Sequence, residues 1–173
     1  MKKVVAIGDS ITWGFPYGEK ASWVQFLSEN LKDIVFINRG MNGDTFQGVL
    51  SRLSGDVISL SPDHCILTAG INDIFMGYSL QEIQRTAMTI IERLKNNQIE
   101  PILGIPINIL DQEFGAPLSG LQKWLMNYAS ENRIARIDFR GLNASDFGDE
   151  IHPNAQGYLK MGRKALEILS RLS

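Results

Sequence analysis

Residues 4–10 read Val4-Val5-Ala6-Ile7-Gly8-Asp9-Ser10. An unbroken apolar run that stops at turn residues fits a strand buried on both faces, the kind found inside a parallel sheet. Gly8 allows a sharp turn at the strand's end. Ser10 then falls just past the carboxyl end of the strand, the edge at which open parallel α/β sheets bind ligands. A serine there is a candidate nucleophile if the chain also supplies a base, a carboxylate to orient that base, and oxyanion donors.

The remaining pattern extends the same architecture. Buried strands are expected at 34–38, 63–69, 101–105 and 134–138, where short apolar runs are bounded by turn residues. Amphipathic helices are expected between them, at 22–31 with Ser22 as cap, and from Asp44 or Thr45 to about Leu53. Three more are expected at 79–97, 118–132 and 155–172. The third of the five helices opens on a capping box, Ser79-Leu80-Gln81-Glu82, and carries an apolar stripe of Ile83, Ala87, Ile90, Ile91 and Leu94. Glycine and proline punctuate 11–18, which reads as a loop, and 106–117 reads as a longer one. Five strands alternating with five helices call for a parallel sheet covered on both faces. A chain of 173 residues with no linker or repeat suits one domain over 1–173.

Composition narrows the function classes. The net charge of −2 and the lack of a basic run speak against nucleic acid as a partner. No apolar run approaches the ~20 residues of a membrane span. Met1-Lys2-Lys3 leads into too short an apolar stretch for a secretory leader before Asp9, so a cytoplasmic address is the default expectation. Cys65 is the single cysteine, which leaves no intrachain disulfide and no cysteine cluster for a metal. No cofactor is expected.

Two histidines are present, and they differ in position. His64 starts the third strand, at the edge opposite Ser10. His152 follows the fifth strand on the catalytic edge, in Asp149-Glu150-Ile151-His152-Pro153. A single turn can bring Asp149 to one imidazole nitrogen and leave the other for Ser10. The same residues also read as turn chemistry ahead of the last helix. Gly43 and Asn72, after the second and third strands, are the oxyanion candidates: a glycine lets a backbone N–H approach a ligand, and an asparagine amide is a neutral donor. Each is equally an ordinary turn residue when taken alone. Asp9 and Asp73 read as loop-fixing carboxylates that accept backbone N–H bonds.

Taken together, Gly8-Asp9-Ser10, Gly43 in Asn42-Gly43-Asp44-Thr45, Gly70-Ile71-Asn72-Asp73 and Asp149-Glu150-Ile151-His152-Pro153 resemble, in order, the four blocks of the SGNH (GDSL-type) serine hydrolases. Ile11 stands where the family's nickname has leucine, an apolar exchange. The resemblance implies a three-layer α/β/α, flavodoxin-like fold with a five-stranded parallel sheet in the order 2-1-3-4-5. That order would place Ser10, Gly43 and Asn72 after three neighbouring strands. The loop after the fifth strand, with a reach of up to ~40 Å, would carry Asp149 and His152 back across ~14 Å of sheet. The resemblance further implies a Ser10–His152–Asp149 catalytic triad and an oxyanion hole from the Ser10 and Gly43 N–H groups and the Asn72 amide. The activity implied is that of an esterase or lipase acting on a small-molecule ester.

Loops at the catalytic edge carry Trp13, Phe15 and Tyr17, then Phe75, Met76 and Tyr78, then Ile107, Ile109, Leu110 and Phe114. They read either as an apolar wall for an acyl group or as anchors that pack loops on the sheet. Within the family, these aromatic and aliphatic loops favour small-acyl or lipid-like esters, with a carbohydrate O-deacetylase or a thioesterase/lysophospholipase as the alternatives. A reading of another class is a flavodoxin-like protein that binds a phosphate-containing ligand at Gly8, Ser10 and Thr12. It leaves the aspartate three residues before His152 without a purpose, and the chain lacks a glycine-rich phosphate loop.

Overall fold

The computed structural model describes residues 1–171. It contains β1 (Lys2–Gly8), α1 (Ser10–Trp13), α2 (Trp23–Asn30), β2 (Ile34–Gly40), α3 (Phe46–Asp56), β3 (His64–Thr68) and α4 (Ile71–Phe75). Then come α5 (Leu80–Asn96), β4 (Glu100–Ile105), α6 (Gly115–Glu131), β5 (Ala135–Asp138) and α7 (Ala155–Leu169). Among the described residues the five strands form one sheet in the order β2-β1-β3-β4-β5, every pair parallel. This is the order that the family resemblance implied, in the parallel sheet that the strand–helix alternation called for.

Alternation along the strands divides the interior into two layers. Val5 and Ile7 of β1, Cys65 and Leu67 of β3 and Leu103 and Ile105 of β4 face one side. They pack against Phe46, Val49 and Leu53 of α3, the whole expected stripe of α5, and Leu121 and Leu125 of α6. Val4 and Ala6, Ile66, Ile102 and Ile137 face the other side, under Trp23, Val24 and Leu27 of α2 and Tyr158, Met161 and Ala165 of α7. The apolar run of β1 is fully buried because both layers close over it.

Local signals set the helix starts. Ser22 accepts from the N–H of Gln25, Thr45 from that of Gly48, and the Ser79–Glu82 capping box closes in both directions. Thr45, and not Asp44, is the cap of α3. Three expectations are corrected. Residues 10–13 form a short helix where a loop was expected, because Asp9 caps it and Gly14, at φ +101°, ends it. The strand expected to be buried at 34–38 is β2, an edge strand that is mostly half-exposed. It pairs with β1 alone, and Val35 is left 41% exposed. The loop after β4 ends earlier than expected, since α6 begins at Gly115. Leu172, the expected end of the last helix, lies outside the described residues. No helix among the described residues is long and apolar enough to cross a membrane.

Candidate active site

The corner built around Gly8 positions the serine. Gly8 pairs with Gly40 of β2 on one side and Thr68 of β3 on the other, so three strands end level. A Cβ on Gly8 would lie 2.1 Å from the carbonyl oxygen of Thr68 and 2.5 Å from Thr12 Oγ1, so a side chain is excluded there. The Asp9 carboxylate turns back to accept the Ile11 N–H at 3.0 Å, which starts α1 with Ser10 as its first residue. Ser10 is buried apart from a small exposed area. Burial, reinforced by the nearby Asp44 and Asp73 carboxylates, pushes the Asp9 carboxyl up to about 7, against the effect of the Ile11 N–H. Asp73 has the equivalent duty at the next strand. Both of its oxygens accept from the Phe46 N–H at 3.1 Å, and burial pushes its carboxyl up to about 6. Both aspartates fix loops, as the sequence suggested.

His152 reaches Ser10 from the far end of the chain. Its Nε2 lies 3.1 Å from Ser10 Oγ across 142 residues of sequence, and its Nδ1 lies 2.9 Å from Asp149 Oδ2. The other Asp149 oxygen accepts the backbone N–H groups of Ile151 at 2.8 Å and His152 at 2.6 Å, so one carboxylate shapes the turn and meets the ring. Burial alone would raise the Asp149 carboxyl. The His152 N–H, the imidazole and the Ile151 N–H together hold it below its ordinary range. A carboxylate on Nδ1 favours the tautomer that carries its proton there and leaves a lone pair on Nε2.

The loop that carries this pair is tied at several points. Gly148 N–H donates to the His152 carbonyl at 2.9 Å, and the Asn154 amide donates to the carbonyls of Ser145 and Phe147. The Leu110 N–H donates to the Glu150 carbonyl at 2.8 Å, which joins the loop after β4 to the histidine loop. The Phe15 ring packs on the imidazole with centroids 4.6 Å apart, and the Tyr158 hydroxyl donates to the Phe15 carbonyl at 2.7 Å.

Gly43 and Asn72 emerge at the same edge. Gly43 is exposed with φ +77°, and a Cβ there would meet open space. The backbone conformation therefore favours glycine, and the space beside it is open. Asn72 is half-buried on α4 and donates one amide hydrogen to the Asp44 carbonyl at 2.8 Å. The second hydrogen of that NH₂ group is not used by this bond. His64 sits level with Val4 at the opposite end of the sheet, where burial lowers its pKa, and takes no part.

Some of the apolar loop residues anchor their loops, and others stay exposed. Ile107 is buried, and Phe75 meets Phe114 edge-on at 4.7 Å, so these anchor their loops. The Gln122 amide grips the carbonyls of Pro106 and Ile107, so the start of the 106–114 segment is fastened to α6. Tyr17, Met41, Met76, Tyr78 and Leu110 remain exposed on loops at the same edge as Ser10. Sequence reasoning missed Arg52, which bonds Asp44 and the Gly8 carbonyl, and missed Phe15 and Tyr158 as supports of the imidazole. Arg52 left a faint trace in its i,i+4 spacing to Asp56, whereas nothing in the sequence marks the contact between Phe15 and His152.

An α/β/α sheet in this order, with a serine after its first strand and an Asp-x-x-His turn folded onto it, defines the class of GDSL-type hydrolase folds. The chain belongs to the GDSL-like lipase/acylhydrolase family, whose model matches residues 6–160. It resembles the crystal structure of a member of the lipolytic protein G-D-S-L family from Veillonella parvula, with a TM-score of 0.91 and 27% identity over 99% of this chain and 100% of that one. It is 27% identical over 100 residues to an arylesterase of Vibrio mimicus, covering 56% of this chain and 50% of that protein. It is 28% identical over 134 residues to a multidomain esterase of Ruminococcus flavefaciens, covering 69% of this chain and 17% of that protein. The chain thus spans half or less of the length of these two esterases.

Proposed function

We propose that this protein is a serine-dependent carboxylester hydrolase in which Ser10 is the nucleophile, His152 the general base and acid, and Asp149 the residue that orients and charges His152. The observation that carries the reading is the continuous chain Ser10 Oγ to His152 Nε2 at 3.1 Å and His152 Nδ1 to Asp149 Oδ2 at 2.9 Å. Ser10 Oγ attacks the ester carbonyl as its proton passes to Nε2. The Ser10 and Gly43 N–H groups and the free hydrogen of the Asn72 amide receive the oxyanion. Collapse expels the alkoxide, which takes the proton from Nε2 and leaves an acyl group on Ser10. Water then attacks by the same route in reverse and restores the serine. The similarity to proteins named as esterases supports this chemistry.

The substrates proposed are small-acyl or lipid-like esters, because exposed Tyr17, Met41, Met76 and Leu110 offer apolar surface on the catalytic edge. The phosphate-binding alternative gives the contact between Asp149 and His152 no role. The test is hydrolysis of chromogenic esters from acetyl to palmitoyl by the parent and by Ser10→Ala, together with covalent labelling by a fluorophosphonate. Turnover and labelling that both vanish in Ser10→Ala support the assignment. A parent that neither turns over nor labels refutes it. A profile confined to acetyl esters of sugars, or to thioesters, would redirect the substrate while leaving the triad in place.

A further inference from the structure

The geometry points to Arg52 as a positioning residue that fastens the nucleophile turn to the oxyanion loop. This role rests on the esterase reading above. Arg52 lies on α3, and its side chain is 15% exposed. Its Nη2 donates to the Gly8 carbonyl at 3.1 Å and to Asp44 Oδ2 at 2.6 Å, its Nε to the same Asp44 oxygen at 2.8 Å, and its Nη1 to Asp56 at 2.8 Å. Gly8 also receives the Met41 N–H at 2.9 Å, so its carbonyl is held from two directions just ahead of Asp9 and Ser10.

At the other end of the clamp, Asp44 directly follows Gly43, and its carbonyl is the acceptor that holds the Asn72 amide. Asp44 Oδ1 accepts the Thr45 N–H at 3.0 Å, which fixes the peptide leading into α3. Arg52 touches no reacting atom. Each of the three groups proposed as oxyanion donors is nevertheless attached, within a residue or two, to something it grips. Oxyanion stabilisation depends on donors that need no rearrangement when charge develops, so a clamp across both loops bears on the rate more than on binding. A guanidinium suits the task because its planar fork reaches a carboxylate and a carbonyl together, which a lysine ammonium does with less directional control.

Simple truncation of Arg52 would strand the Asp44 carboxylate in the interior, so the informative variants are Arg52→Lys and the charge-neutral pair Arg52→Met with Asp44→Asn. Each is compared with the parent for kcat and KM on 4-nitrophenyl butyrate and for the rate of fluorophosphonate attachment to Ser10. Measurements are made below the unfolding transition recorded by circular dichroism. The expected result is a loss in kcat of about 10–10²-fold in the pair, a parallel loss in labelling rate and KM within about threefold, with Arg52→Lys intermediate. A folded pair that keeps kcat and labelling within about threefold of the parent overturns the role. If the pair does not fold, Arg52→Lys decides by the same criterion. A parent that neither cleaves the ester nor labels at Ser10 removes the esterase reading and this role with it. A fully active parent with equally active variants removes this role alone.

Discussion

Replacing Asp149 by Asn isolates what the carboxylate does for His152. The amide oxygen can still accept the Ile151 and His152 N–H groups, now at 2.8 and 2.6 Å, so the turn is preserved. Opposite Nδ1, however, the oxygen at 2.9 Å becomes an NH₂ donor. Two losses follow. Opposite unit charges about 4 Å apart are worth ~1 kcal/mol in water and ~4 at an effective dielectric of 20. The Asp149 side chain is 51% exposed and that of His152 19% exposed, which puts the pair between these limits. A loss of about 2 kcal/mol, or roughly 30-fold in rate, is therefore expected from charge alone. The amide donor also draws the lone pair to Nδ1 and moves the proton to Nε2, so the ring faces Ser10 with the wrong tautomer. Together the expected fall in kcat is about 10²–10⁴-fold. Asp149→Ala removes the charge and also the acceptor that shapes the turn, so its loss should be at least as large as that of Asn. Initial rates on a chromogenic ester, with circular dichroism to verify folding, make the comparison. An Asn variant that keeps more than about a tenth of parental kcat would refute the orienting role.

Three further outcomes are expected. Asn72→Ala should lower kcat by about 10²–10³-fold with little change in KM, as befits a donor used mainly in the transition state; an equal effect on KM alone would contradict that assignment. Phe15→Ala, which uncovers the imidazole face, should lower kcat more than it raises KM for an acetyl ester, and a pure KM effect would make Phe15 a substrate wall instead. Asp9 governs a pH response. Its carboxyl titrates at about 7 in the fold against an ordinary 3.8, so the native state keeps a proton that the unfolded chain has released. The stability this contributes is complete below the unfolded value and is lost as pH rises through about 7, on the order of 1–4 kcal/mol. Urea midpoints should therefore decline from about pH 5 to about pH 8 in the parent and decline less in Asp9→Asn, and parallel slopes would refute the assignment.

Features that depend on neighbours in sequence were legible before any coordinates. The apolar run of residues 4–7 announced a strand buried on both faces, and the spacing of Asp149 and His152 matched the turn that joins them. The Ser79–Glu82 box closed as its residue types require. What escaped depends on partners far away in the chain. The apolar run at 34–37 carries no mark of its edge position, because being an edge follows from strand order and not from composition. The helix at 10–13 was hidden by the glycines and proline around it, although its aspartate cap and glycine stop were both in view. Arg52 joins the Gly8 carbonyl across 44 residues, and the Tyr158 hydroxyl meets the Phe15 carbonyl across 143. No local pattern encodes such meetings.

The contact between Ser10 and His152 also has a kinetic side. The proposed base His152 and its carboxylate Asp149 are three residues apart and can find each other in a single turn, while the proposed nucleophile Ser10 is 142 residues away. Bringing those ends together closes nearly the whole chain, and non-local closures are the costly steps of folding. Ester turnover should therefore return no earlier than helical signal when the denatured protein is diluted into buffer, because the proposed site is complete only once His152 is seated on Ser10.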